Sequence, residues 1–350
     1  MSRHTLVVRL DSLGDVVVCG PAVRAVAAGS DRLTFLAGPR GAAAARLLPG
    51  VDAVEEFAAP WVLADPAPVD PASVDEVVQR VRALAVDHAV VLTSFHQSAL
   101  PTALVLRLAG VRRVSAVSVD YPGSLLDDRI APPPDDPEPL RMTAIAAAAG
   151  YRLPPGDDGG LRLRPLPEVT VPVTRPYVVV HPGADAPTRA LPAHLAVESV
   201  RALDAAGFDV VVTGSAGEAR RNSVVAASAD HAVDLSGHLD VAGLAAVIAG
   251  ARAVVCGNTG PGHLAAAVGT PVVSVFAPVV PARRWAPYGP AVAVLGDQTA
   301  ACRDTRARHC PVEGHPCVSG LSAGDVLAAV RKLTGATPSD TAGAEVGVAR

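Results

Sequence analysis

The sequence predicts an α/β protein built from two successive halves, each a parallel sheet with helical crossovers, and three observations carry that expectation. The chain has 350 residues, more than one hydrophobic core comfortably serves. Short β-branched runs alternate with longer Ala-rich segments along most of its length, the pattern of strands crossed over by helices. Near the middle, "YRLPPGDDGGLRLRPLPEVTVPVTRP" at 151–176 breaks the alternation with Pro and Gly and reads as a linker between domains.

In the first half, residues 1–150, strands are expected at 5–10, 33–37, 89–93 and 114–118, each a short apolar run bounded by turn residues. The longer Ala-rich segments at 20–29, 40–48, 73–86, 99–109 and 138–149 are expected to be helices. "APPPDDPEP" at 131–139 reads as a loop inside this half, because a helix-like segment follows it. In the second half, residues 177–334, strands are expected at 177–181, 209–213, 253–256 and 272–276. Its helices are expected at 192–206, 217–228, 241–250, 260–268 and 322–333. The tail at 335–350, "GATPSDTAGAEVGVAR", reads as disordered. In open α/β sheets ligands sit outside the carboxyl ends of the strands, so two such halves predict a cleft, and with it a two-substrate enzyme or a hinged binding protein.

Composition excludes several classes. A net charge of −4 leaves no basic footprint for nucleic acid. Lys332 is the only lysine, which removes a Walker A loop and any lysine Schiff base outside the last helix. Residues 1–10 lack the apolar core of a signal peptide, and the most apolar later stretch, 241–257, is interrupted by Arg252, so no transmembrane segment is expected. Five cysteines, an odd number, fit a reducing compartment, and the expected location is the cytoplasm.

Four stretches carry candidate chemistry, and each follows an expected strand. In "RLDSLGDVVVCGP", Gly14 is expected to relieve a tight turn and Asp15 to stand at the mouth of the cleft. Asp15 is either a general base or, like Asp11, a helix cap. "VVVHPGADAPTRALP" ends a strand in His181, Pro182 and Gly183 and brings Arg189 to the next helix, where an arginine holds a diphosphate or lies solvated on the surface. "VVVTGSAGE" places Glu218 in a first helical turn, suited to ribose hydroxyls or simply to the helix dipole. "VVCGNTGPGHLAAAVGTPVVSVFAP" runs a strand into Gly257, Asn258, Thr259, Gly260, Pro261 and Gly262, with a helix starting near His263. The amides of that turn and the helix dipole predict an anion pocket. Further on, "CRDTRARHCPVEGHPC" holds Cys302, His309, Cys310, His315 and Cys317, but the spacing matches no standard zinc ribbon, so free thiols and no metal site are expected.

In this order and spacing the motifs resemble glycosyltransferase family nine, the heptosyltransferase family that acts on lipopolysaccharide core, over residues 5 to about 333. The resemblance implies the GT-B fold, with two Rossmann-like domains facing each other across a cleft, acceptor on the first and nucleotide-sugar on the second. It implies metal-independent, inverting chemistry with no cofactor, Asp15 as catalytic base, Arg189 on the donor diphosphate, and the turn from Asn258 to His263 around the donor. The donor is then a nucleoside-diphosphate sugar, ADP-linked by the family's habit and heptose-like. The acceptor stays open among a glycan, a lipid-linked sugar and a small metabolite, and peripheral membrane contact stays open with it. Asn258 stands where the family usually has Asp, Arg189 where Lys is frequent, and Thr305 where a cysteine is common. Arg for Lys is not conservative at a bidentate site. Two alternatives accompany this expectation: a non-catalytic relic of the fold that binds nucleotide or a partner protein, and a nucleotide-sugar epimerase. For His263, contact with a phosphate and capping of its own turn are equally open.

Overall fold

The computed structural model describes residues 3–63 and 65–335, so the expectation for 336–350 lies outside the described residues. The chain divides into two units after Pro165. In the first, the opening apolar run forms strand β1, His4–Arg9, buried at every position. A strand buried on both faces belongs in the interior of a parallel sheet. It is joined by β2 (Arg32–Ala37), β3 (Ala53–Glu56), β4 (His88–Val91), β5 (Arg113–Val117) and β6 (Asp128–Ile130). All pairs are parallel, in the order β3-β2-β1-β4-β5-β6. Val8 of β1 stands between Leu36 of β2 and Val91 of β4. The chain reverses its direction of strand addition between β1 and β4, which opens a crevice at their carboxyl ends.

The second unit repeats the plan. Its strands are β7 (Tyr177–His181), β8 (Asp209–Val212), β9 (Ala232–Asp234), β10 (Ala253–Gly257), β11 (Val272–Val275) and β12 (Val292–Leu295). They are ordered β12-β11-β10-β7-β8-β9 and again parallel throughout. Here the reversal falls between β7 and β10, where His181 pairs with Cys256. Each sheet buries its own apolar cluster: Leu6, Val8, Val77, Val81 and Leu106 in the first unit, and Val180, Leu195, Val210, Val255 and Val330 in the second.

The eight strands expected from the sequence are present, and four more complete the sheets: β3, β6, β9 and β12. Those four are the outer strands. An edge strand contacts neighbours on one side only and stays partly exposed, so short runs such as "AVEE" and "AVD" suffice without an apolar signature.

Residues 151–165, read from composition as part of a linker, pack on the first unit. Tyr151 is buried, and its hydroxyl lies 2.8 Å from His88 Nδ1 and 3.1 Å from Thr5 Oγ1. Arg24 donates to Asp157 through Nε at 2.6 Å and Nη2 at 2.8 Å, and Arg164 donates to the Leu48 carbonyl. Arg175 anchors the entry to β7 by pairing with Asp204 and Asp209.

Candidate active site

In the first unit the site begins with an arginine in a strand otherwise made for the core. Arg9 closes β1 with a side chain that has no solvent exposure, and its Nε lies 2.7 Å from Asp11 Oδ2. Its Nη2 donates to Asp15 Oδ1 at 3.1 Å and to Ser94 Oγ at 2.8 Å, while Nη1 approaches Met142 Sδ at 3.5 Å. Burial opposes the guanidinium charge, but Asp11 and Asp15 more than offset it, and the pKa is raised. Asp11 is itself mostly buried, its side chain 12 % exposed. Burial pushes its pKa up against the pull of Arg9, and Gln97 Nε2 donates to its Oδ1 at 2.5 Å.

Neither carboxylate caps the following helix, Leu13–Val17, whose N-cap is Ser12 with no side-chain cap bond. Gly14 lies buried within that helix and has no positive φ to relieve, so the turn expected there is a helical first turn instead. Asp15 shares that first turn, where negative charge is favourable, and its side chain is 24 % exposed. Its second oxygen, Oδ2, makes no hydrogen bond among the described residues. Asp11, Asp15 and Arg9 come from the β1 end, and Ser94 and Gln97 from the loop after β4. The cluster therefore sits at the reversal of the sheet, where open α/β folds place ligands.

In the second unit two loops meet at the corresponding place. After β7 the chain makes a 3₁₀ turn, Pro187–Arg189, and after β10 it enters helix Gly260–Val268 directly. Gly257 makes the meeting possible, since a Cβ there would lie 1.8 Å from the Arg189 carbonyl oxygen. Arg189 and Asn258 are brought to one spot by that approach. Gly257→Ala is accordingly expected to push the Arg189 loop away and to cost about 1–3 kcal/mol of stability. Thermal unfolding checks the second effect, and a weaker stabilisation by added nucleotide checks the first.

The turn after β10 leaves polar groups unspent. Asn258 Oδ1 and Nδ2 are both buried and make no hydrogen bond among the described residues, and neither does His263 Nδ1. Thr259, the N-cap of Gly260–Val268, is extended and its side chain makes no cap bond. Gly262 is tight against Pro287, with a Cβ there 3.1 Å from Cγ. His263 is 7 % exposed, and burial drives its pKa down to about 4, so its ring is neutral near pH 7. A buried polar group left unsatisfied costs about 1–3 kcal/mol, and natural chains keep such exceptions few. Three such atoms lie at one helix start, close to the Arg189 loop.

On the other side of β7, a Cβ on Gly183 would meet Glu218 Oε1 at 1.7 Å. Glu218 closes a capping box with Ser215, whose N–H and Oγ donate to Oε2 at 2.9 and 2.8 Å. Burial raises its proton affinity, but those bonds, His181 and Arg221 hold the pKa below the ordinary carboxylate range. His181 donates to or accepts from Thr213 Oγ1 at 3.0 Å, and its pKa falls to about 4, chiefly by burial. Glu218 thus closes the capping box of its own turn while lying against the Gly183 end of β7.

Residues 74–315 match the family model of glycosyltransferase family 9 (heptosyltransferase). The chain belongs to that family. Lipopolysaccharide heptosyltransferase 1 of Pseudomonas aeruginosa is 36% identical over 141 residues, a stretch spanning 39% of this chain and 39% of that protein. Among solved structures, E. coli ADP-heptose LPS heptosyltransferase II superposes with a TM-score of 0.73 at 19% identity, covering 95% of this chain and 98% of that one. E. coli heptosyltransferase WaaC with ADP gives 0.69 at 18%, covering 94% and 99%. A family 9 glycosyltransferase from Veillonella parvula gives 0.75 at 15%, covering 95% and 97%. At these identities the structures establish the fold, two Rossmann-like α/β units of the GT-B type.

Several buried polar side chains were passed over in the sequence. Arg9 was legible as an arginine inside an apolar run ahead of two aspartates, whereas Ser94 and Gln97 left no signal. Trp285, one of two tryptophans, has a buried Nε1 with no hydrogen bond among the described residues. The Cys and His segment supports the Arg189 loop from behind. Thr188 N–H donates to the Arg308 carbonyl at 3.1 Å, and Arg308 pairs with Asp185 at 3.2 Å. Cys302 and Cys317 are buried in the apolar cluster of the second unit, and the Cys317 thiol is pushed up to about 12, first by burial. All five cysteines are free, and the described residues hold no His, Cys, Asp and Glu cluster able to bind a metal.

Proposed function

We propose that the protein is an inverting, metal-independent glycosyltransferase that moves a heptose-like sugar from an ADP-linked donor to a hydroxyl acceptor. The first unit takes the acceptor, and Asp15 Oδ2 receives the hydroxyl proton. The acceptor oxygen then forms its bond to the anomeric carbon as the bond from that carbon to the phosphate oxygen breaks. The nucleoside diphosphate leaves with the electron pair, and Arg189 and the amides of the turn around Thr259, Gly260 and Gly262 neutralise its developing charge. Asn258, His263, Gly183, His181 and Glu218 complete the donor side.

Family membership supports the reaction class, and the binding of ADP by the E. coli relative supports the donor class. The observation that carries the reading is the Asn258 side chain, whose two polar atoms are buried without partners at the reversal between β7 and β10. The acceptor is a glycan, a lipid-linked sugar or a small metabolite. No described helix is long and apolar enough to cross a membrane, and the proposed setting is the cytoplasm, with peripheral membrane contact where the acceptor is lipid-linked.

Thermal unfolding against ADP, UDP, GDP and dTDP, with and without magnesium, tests the reading. A ligand at 100 times its dissociation constant adds about 2.7 kcal/mol to the folded state. ADP is expected to raise the midpoint without magnesium, and Arg189→Ala to lose most of that rise. Stabilisation by no nucleotide would leave only a relic of the fold and remove Asp15 from chemistry.

A further inference from the structure

We propose that Arg9 is the positioning residue of the base: working from inside the sheet, it fixes one oxygen of Asp15 and leaves the other unengaged for the acceptor. The inference rests on the function proposed above and adds a residue to it. Asp15 stands on a helix of five residues, too short to hold itself by backbone bonding alone. The bond to Arg9 Nη2 is the one its carboxylate makes among the described residues. Arg9 is immobilised in turn by Asp11, Ser94 and Met142, and Asp11 by Gln97.

The same guanidinium thus ties the loop after β1 to the loop after β4, across the reversal of the sheet. A leucine or valine would pack at the end of β1 at less cost, because a buried ion pair seldom beats an apolar residue of similar volume in stability. Retention of a fully buried arginine is the kind of local conflict found where function sets the choice. Its planar fork lets one side chain hold two carboxylates and a hydroxyl in fixed geometry, which a lysine cannot reproduce. Catalytic groups tolerate little displacement, and an error near 1 Å costs about 10²-fold in rate.

The test compares wild type, Arg9→Lys, Ser94→Ala and Asp15→Asn in the full chain. The readout is ADP release from ADP-heptose with water as acceptor, together with the donor KM and the thermal midpoint. Arg9→Lys is expected to lower kcat by about 10–100-fold with the donor KM within about twofold of wild type. Ser94→Ala, which frees Nη2 without removing the charge, is expected to lower kcat by a smaller factor in a chain that remains folded. Wild-type kcat in the folded fraction of either variant, with Asp15→Asn inactive, overturns the positioning role and leaves the base assignment standing. Wild-type kcat in Asp15→Asn removes the function reading itself. If Arg9→Lys does not fold, Ser94→Ala alone decides.

Discussion

Asp15→Asn is expected to lower turnover by about 10²–10⁴-fold, the usual worth of a positioned general base, while ADP stabilises the variant as it does wild type. The structure makes the substitution clean. An asparagine oxygen still accepts from Arg9 Nη2 at the Asp15 position, and Arg9 keeps its closer partners, Asp11 at 2.7 Å and Ser94 at 2.8 Å. The lost charge is partly exposed and Arg9 keeps the Asp11 carboxylate, so the variant is expected to fold. What disappears is the one oxygen able to take up a proton. Rates of ADP release, read beside ADP-induced shifts in unfolding temperature, separate chemistry from donor binding. A variant that turns over within a few-fold of wild type would return Asp15 to the role of a first-turn carboxylate.

The sheets show what kind of information a single sequence holds. Central strands such as β1, β7 and β10 are buried along nearly all their length and carry runs of Val and Leu at their centres, which is why those runs stood out. The outer strands escaped notice because half of their surface faces solvent or loops and their residues are free to vary. Glycine-rich turns announced where the site lies, since a missing Cβ is the only way to bring the Arg189 carbonyl against Gly257. They did not announce what completes it. Ser94 meets Arg9 across 85 positions and Gln97 meets Asp11 across 86, and nothing in local composition encodes a partner at that distance. Buried, unsatisfied atoms at Asn258 and His263 are likewise a property of packing, invisible until the turn is closed.

Acid should destabilise the second unit well before its carboxylates protonate. His181 and His263 have pKa values of about 4, in each case first through burial, against about 6.5 for an exposed histidine. Both folded values lie below the unfolded one. Their contribution is therefore complete above about pH 6.5 and is lost as the pH falls toward 4, because the unfolded chain binds protons that the native ring refuses. Two such groups give a limiting slope of about 2.7 kcal/mol per pH unit. Urea unfolding at pH 7, 6 and 5, followed by Trp285 fluorescence in a Trp61→Phe background, reads that slope, and His263→Asn should halve it. A slope near zero would mean that the rings are hydrated rather than buried. The same titration resolves the role of His263. A diphosphate beside Nδ1 would favour the imidazolium, so ADP would bind with proton uptake and protect more strongly at pH 5.5 than at pH 7. Equal protection at both pH values would confine His263 to packing the start of its helix, and leave recognition of the diphosphate to Arg189 and the backbone of the turn.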